Sequence, residues 1–208
     1  MMLEGPRVAP RSGTATALVV FLHGYGADGN DLIGLAEPLA AVLPGAAFAS
    51  PNAPGTIAGG GRQWFPLTMR DPSEYARGVA AAAPALQAYL SAELLHHGLV
   101  DGALALVGFS QGTMMALHVA YRREAAIGAV VGFSGLCASA EPVRHPAPTL
   151  LVHGTADEVL PAGMTLQASQ TLGEAGVSSQ WHFITGLGHG IDGTGLGYAA
   201  THLSRALS

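Results

Sequence analysis

The segment Gly108-Phe109-Ser110-Gln111-Gly112 constrains this chain more than any other, because of what stands on either side of it. The apolar, strand-length run Ala103 to Val107 leads into it, and the helix-like stretch Thr113 to Arg123 leads out. A serine held between strand and helix by two glycines is the sequence form of a nucleophile elbow. Such a turn keeps its serine in a strained backbone conformation that lifts the hydroxyl clear of the sheet edge. It also packs strand and helix so closely that a side chain two positions to either side would clash. Gly108 and Gly112 relieve that crowding.

The rest of the chain supplies a sheet for that elbow. Apolar runs of strand length recur at Ala17 to Leu22, Ala46 to Ser50, Ala103 to Val107, Ile127 to Phe133, Thr149 to Val152 and Gln180 to Ile184. Helical patterns fall between them, at Asp31 to Val42, Ser73 to His96, Gln111 to Arg123, Pro161 to Ala175 and Thr194 to Ala206. Ser73 and Glu74 open the second favourably, and Gly176 closes the fourth. Alternation of this kind predicts an α/β fold, a mostly parallel central sheet with right-handed crossovers and helices on both faces. At 208 residues one domain spanning 1–208 is expected. The composition agrees: 49% hydrophobic, only 11% charged and rich in glycine, as buried parallel strands and many loops require.

Ligands of open α/β sheets bind beyond the carboxyl ends of the strands. Four polar segments stand there: His23-Gly24-Tyr25-Gly26-Ala27-Asp28, the elbow, His153-Gly154-Thr155-Ala156-Asp157 and Gly186-Leu187-Gly188-His189-Gly190. A serine hydroxyl needs a histidine to accept its proton and a carboxylate to orient that histidine. After an elbow the expected chain order is serine, acid, histidine. His118 and His202 fall in helical patterns and His182 in a strand, while His145 and His153 precede the best acid, so His189 is the expected base. Asp157, just past a strand and before Pro161, is the expected orienting acid, preferred to its longer neighbour Glu158. Backbone N–H groups of Gln111 and Tyr25 are the expected donors to an oxyanion. His23 reads as a hydrogen-bonding residue that shapes its turn rather than as a proton carrier. The connection Pro51 to Pro72, with Gly59-Gly60-Gly61, Trp64 and Phe65, is long enough to line a site.

Several classes of function are excluded on composition and spacing. The net charge is −5 with nine Lys and Arg scattered singly, so no basic stripe is available for nucleic acid. Gly24, Gly26 and Gly29 do not have dinucleotide-loop spacing, and no metal-ligand spacing occurs; no cofactor and no metal are expected. Residues 1–16 lack the apolar run of an export signal, no stretch is long enough to span a bilayer, and Cys137 is the only cysteine, expected as a buried small hydrophobe. A cytoplasmic protein is the expectation.

With these residues in view, the chain resembles the α/β-hydrolase phospholipase/carboxylesterase family, which includes bacterial carboxylesterases and acyl-protein thioesterases. The likeness rests on Phe21 to Asp28, on the elbow, on His153 to Asp157 and on Gly188-His189, and runs nearly end to end. It implies an α/β-hydrolase fold with no cap domain, an acyl-ester substrate and a catalytic set of Ser110, Asp157 and His189. Arg62-Gln63-Trp64-Phe65 resembles the family segment that helps wall the acyl site, so Trp64, Phe65 and Leu160 are expected at the substrate. Relatives are often homodimers. Tyr25 stands where acyl-protein thioesterases usually carry leucine, which demotes protein depalmitoylation, and the lack of an insertion large enough for a cap domain implies an open site suited to small or short-chain acyl esters, with a lysophospholipase or acyl thioesterase as the alternative. A non-catalytic binder on the same scaffold is the remaining alternative.

Overall fold

The computed structural model describes residues 3–68, 71, 73–139 and 142–207. Its strands are β1 (Arg7–Val8), β2 (Ala17–Leu22), β3 (Ala46–Ala49), β4 (Gly55–Thr56), β5 (Arg62–Gln63), β6 (Leu104–Phe109), β7 (Ala129–Phe133), β8 (Thr149–Gly154) and β9 (Ser179–Ile184). Its helices are α1 (Gly29–Ile33), α2 (Ala36–Leu39), α3 (Ser73–His97), α4 (Gln111–Ala120), α5 (Gly163–Glu174) and α6 (Gly193–Ala206). Among the described residues seven strands form one sheet in the order β1-β3-β2-β6-β7-β8-β9, parallel except for β1, and β4 and β5 form a separate hairpin. The fold is the α/β-hydrolase fold, with no closed barrel.

The continuous apolar character of the strands follows from a core on each face of the sheet. Successive side chains of a strand point to opposite faces. Leu18, Val20 and Leu22 of β2 join Leu104, Leu106, Val130 and Leu151 beneath α3, α4 and α5. Val19 and Phe21 join Ala105, Val107, Val131, Phe133, Leu150 and Val152 beneath α1, α2 and α6. Each fully buried Val, Leu or Phe contributes about 1.5–3 kcal/mol relative to exposure. Polar substitutions have no tolerant face in β2 or β6.

All six long strands expected from the sequence are present, with ends moved by at most a few residues. Asp31 to Val42, expected as one helix, is instead α1 and α2. Gly34 closes the first, and Pro38 has no N–H to give the Gly34 carbonyl four residues back, while its ring crowds that carbonyl. Asp28 caps α1 by accepting the Asn30 N–H at 2.8 Å. At the end of α5, Gly176 adopts φ +81° and the Val177 N–H returns to the Leu172 carbonyl, a left-handed helix stop. Helix α3 continues through Pro84. No helix among the described residues is long and apolar enough to cross a membrane.

Candidate active site

Strand β6 delivers Ser110 to the carboxyl edge at the centre of the sheet. Its backbone sits at φ 54°, ψ −115°, the left-handed strain expected of an elbow. The Ser110 N–H donates to the Phe133 carbonyl at 2.9 Å, which ties the turn to β7. Thr113 reinforces the same junction, its hydroxyl lying 2.8 Å from both the Gly108 and Phe133 carbonyls. All ten residues of α4 are buried, so the helix that carries the Gln111 N–H has no room to shift.

Strand β8 delivers the acid. The Asp157 side chain is fully buried, its Oδ1 accepting the N–H groups of Val159 and Leu160 at 2.9 Å each. Its Oδ2 accepts from His189 Nδ1 at 2.7 Å. Burial raises the affinity of this carboxyl for a proton, but the bonds from Leu160, His189 and Val159 outweigh it and leave its pKa below the ordinary carboxylate value. Asp157 therefore stays ionised wherever the protein is folded near neutrality. Glu158, weighed beside it, lies on the surface.

The loop after β9 brings His189 to this carboxylate, and backbone contacts hold the loop there. Thr155 N–H bonds to Ile184 O and Ala156 N–H to Leu187 O, both at 2.9 Å, and Gly186 N–H bonds to the Thr155 hydroxyl at 2.9 Å. Gly154 permits the approach, since a Cβ there would come within 2.2 Å of Leu187 O. The His189 ring also packs against Phe109, the residue before Ser110, with centroids 4.9 Å apart. No hydrogen bond joins the Ser110 hydroxyl to His189 in this conformation; such contacts commonly tighten only on substrate binding. With Nδ1–H committed to Asp157, Nε2 is the imidazole atom left for a proton in transit.

A third layer positions the loops around the serine. His23 is fully buried; its Nδ1 lies 2.8 Å from Gly24 O, and its Nε2 accepts the Ala53 N–H at 3.0 Å. Trp64 Nε1–H donates to the His23 carbonyl at 3.0 Å. The Gln111 side chain then locks the Trp64 segment to the elbow, Oε1 accepting the Trp64 N–H and Nε2 donating to Phe65 O, each at 2.8 Å. Tyr25 and Gln111 N–H groups have no acceptor among the described residues.

The His23 arrangement carries a pH dependence. Burial lowers the His23 pKa from its ordinary 6.5, more than the Gly24 contact raises it; taking up a proton at Nε2 would also break the bond from the Ala53 N–H. Below pH 6.5 the unfolded chain takes up this proton and the folded chain does not, so the stabilisation is complete above 6.5 and is lost as pH falls through the lower, folded value. We expect the melting temperature to fall as the pH is lowered from 7.5 to 5. His23→Gln, whose Oε1 can accept the Ala53 N–H without titrating, should flatten that drop; an equally steep profile in the variant would remove His23 as its source.

A cavity of about 350 Å³ opens at Ser110, lined by Tyr25, Leu67, Tyr75, Ser110, Gln111, Met114, Val159 and Leu160. Leu160, expected at the substrate, lines this cavity. Trp64 and Phe65 do not reach this wall: both are buried behind it, 3% and 2% exposed, and act through backbone bonds to Gln111. Leu67 from the same segment forms the wall instead. Sequence reasoning missed Leu67, Tyr75 and Met114. Met114 lies one helical turn past Ser110, a spacing that could have revealed it. Tyr75 is set by the first turn of α3, where Asp71 accepts the Ser73 N–H at 2.9 Å and pairs with Arg77 at 2.8 Å. The Arg77 bond, aided by Ser73, holds the Asp71 carboxyl down at about 2. Cys137 is half-buried, away from this cavity, and burial pushes its thiol pKa up. No cluster of metal-ligating side chains occurs among the described residues.

An α/β-hydrolase sheet with a strained serine at its central edge is a scaffold that hosts many hydrolytic chemistries, and similarity to known proteins narrows it to carboxylic ester hydrolysis. The chain belongs to the phospholipase/carboxylesterase family, whose model matches residues 3–207. It is 31% identical to esterase YpfH of Escherichia coli over 145 residues, 69% of this chain and 62% of that protein. It is 29% identical to acyl-protein thioesterase 1 of Saccharomyces cerevisiae over 187 residues, 81% and 82% of the two chains. The crystal structure of esterase PE8 superposes with a TM-score of 0.95 at 37% identity, covering 100% of both chains.

Proposed function

We propose that the protein is a serine carboxylesterase for small or short-chain acyl esters, working through Ser110, His189 and Asp157. The observation that carries this reading is the 2.7 Å bond from His189 Nδ1 to a buried Asp157 beside the strained Ser110. His189 Nε2 takes the Ser110 proton as Oγ attacks the ester carbonyl, and Asp157 stabilises the imidazolium. The Tyr25 and Gln111 N–H groups, the latter at the N-terminus of α4, receive the oxyanion. Collapse of the tetrahedral intermediate expels the alcohol, protonated by His189, and water then releases the acid by the same steps in reverse. No cofactor enters the scheme.

The acyl-length preference rests on the cavity. About 350 Å³ is near the small end of ligand pockets, ~300 Å³, and Leu67, Tyr75 and Met114 form its wall. Rates on p-nitrophenyl esters from two to sixteen carbons should peak at short chains and fall by about tenfold or more at the long end. An optimum at twelve carbons or above would instead favour the lysophospholipase or acyl-thioesterase reading, for which the exposed rim residues Tyr25 and Val159 would have to guide the chain out of the cavity.

A further inference from the structure

Asp157 is touched by a second histidine. The side chain of His153, near the end of β8, is fully buried, and its Nε2 lies 2.9 Å from the Leu160 carbonyl and 3.1 Å from Asp157 Oδ2. Its Nδ1 lies 2.8 Å from the hydroxyl of Thr165 on α5. The tautomer follows from these partners. Nε2 faces only acceptors and must carry the proton, whereas the Thr165 hydroxyl has no other partner among the described residues and donates its hydrogen to Nδ1. We propose that His153 is a positioning residue for the ester hydrolysis: its Nε2–H grips the Asp157–Leu160 turn and presents Asp157 Oδ2 to His189.

The contacts close a ring. His153 Nε2–H donates to Leu160 O, the Leu160 N–H donates to Asp157 Oδ1, and Asp157 Oδ2, which accepts from His189, packs 3.1 Å from His153 Nε2. Strand β8, the acid turn and helix α5 are thereby pinned through one imidazole. Because the positive end of the Nε2–H dipole lies 3.1 Å from Oδ2, His153 also tempers the carboxylate charge felt by His189. The titratable groups facing Asp157 are His153 from β8 and His189 from the loop after β9; Glu158, next along the turn, is exposed. This role rests on the triad reading above, since Asp157 must act through His189 for its presentation to matter.

The first test needs no variant. Nitrogen NMR of the imidazoles in the wild-type protein should show His153 protonated at Nε2 and bare at Nδ1; the opposite tautomer would overturn the proposal. Kinetics then separate presentation from simple packing. His153→Leu should lower kcat by roughly 10- to 100-fold with KM little changed. It should also move the acid-side midpoint of kcat/KM to higher pH, because more of the Asp157 charge then falls on His189. His153→Gln, which keeps a donor, should recover most of both. A folded His153→Leu with wild-type kcat and midpoint, or a Gln variant no better than Leu, would overturn the role. Should His153→Leu not fold, His153→Met, which fills the space with a side chain that cannot donate, takes its place and is read in the same way. Asp157→Asn run alongside keeps the two readings apart. Full activity in it removes the triad, whereas an inactive Asp157→Asn beside an unaffected His153→Leu removes only His153.

Discussion

Ser110→Ala should lower kcat on a short p-nitrophenyl ester by roughly ten-thousand-fold or more while leaving the melting temperature within a degree or two. The first half follows from chemistry. Without Oγ no acyl-enzyme forms, and the Gln111 and Tyr25 N–H groups can assist only direct attack by water, a residual path that other serine hydrolases retain. The second half follows from structure, because no hydrogen bond from the described residues holds the Ser110 hydroxyl, so its removal leaves none of them unsatisfied. His189→Gln should approach the same floor, and Asp157→Asn should fall nearly as far because the imidazole loses its tautomer. Combining Ser110→Ala with His189→Gln should cost no more than Ser110→Ala alone, since the second residue serves only the first. A Ser110→Ala protein that still hydrolyses the ester at the wild-type rate, or a multiplicative double variant, would take the serine out of the mechanism.

The parts of this molecule readable beforehand are those where one physical requirement acts over many residues. Burial on both faces writes itself into β2, β6 and β8 as unbroken apolar runs, and helical periodicity marks α3, α5 and α6. The candidate positions of the proposed triad stand out because each follows a strand end, and chain order then singles out His189 among nine histidines, which the fold brings to Asp157. What stayed hidden lacks such repetition. The two-residue strands β1, β4 and β5 are too short for any period. Pro38 broke a helix whose apolar pattern otherwise continues. Trp64 and Phe65 lie in a connection where side-chain direction is set by distant partners, here the amide of Gln111, so the segment was legible as part of the site but not which of its residues would face the cavity. His153 is set aside as a base by its place in the chain, and chain order says nothing about its closeness to the carboxylate.

Gly112→Ala should be the most damaging single-methyl change in the chain. A Cβ on Gly112 would lie 1.8 Å from Leu22 O and 2.8 Å from His23 O. Both are backbone atoms at the end of β2, which is paired on one side to β3 and on the other to β6, so neither can swing aside as a flexible side chain would. Relief must come from moving α4 outward by more than an ångström, and α4 is buried along its whole length against β6, β7 and α3. Overpacking of yielding sites costs about 1–3 kcal/mol; with backbone on both sides we expect about 3 kcal/mol or more, a fall in melting temperature of roughly 6–12 °C for a domain of this size. Activity should drop further than stability explains, because the clash pushes the loop that carries the Tyr25 N–H away from the helix that begins with Gln111. Gly197→Ala provides the contrast: exposed inside α6, with nothing within 4 Å of the added carbon, it should stabilise by about 0.5–1 kcal/mol through helix propensity. Thermal melts of the two variants with kcat/KM on one ester decide the matter. A Gly112→Ala protein as stable and active as Gly197→Ala would mean that α4 and β2 are not packed at van der Waals contact, and the pre-set spacing of the oxyanion donors would lose its physical basis.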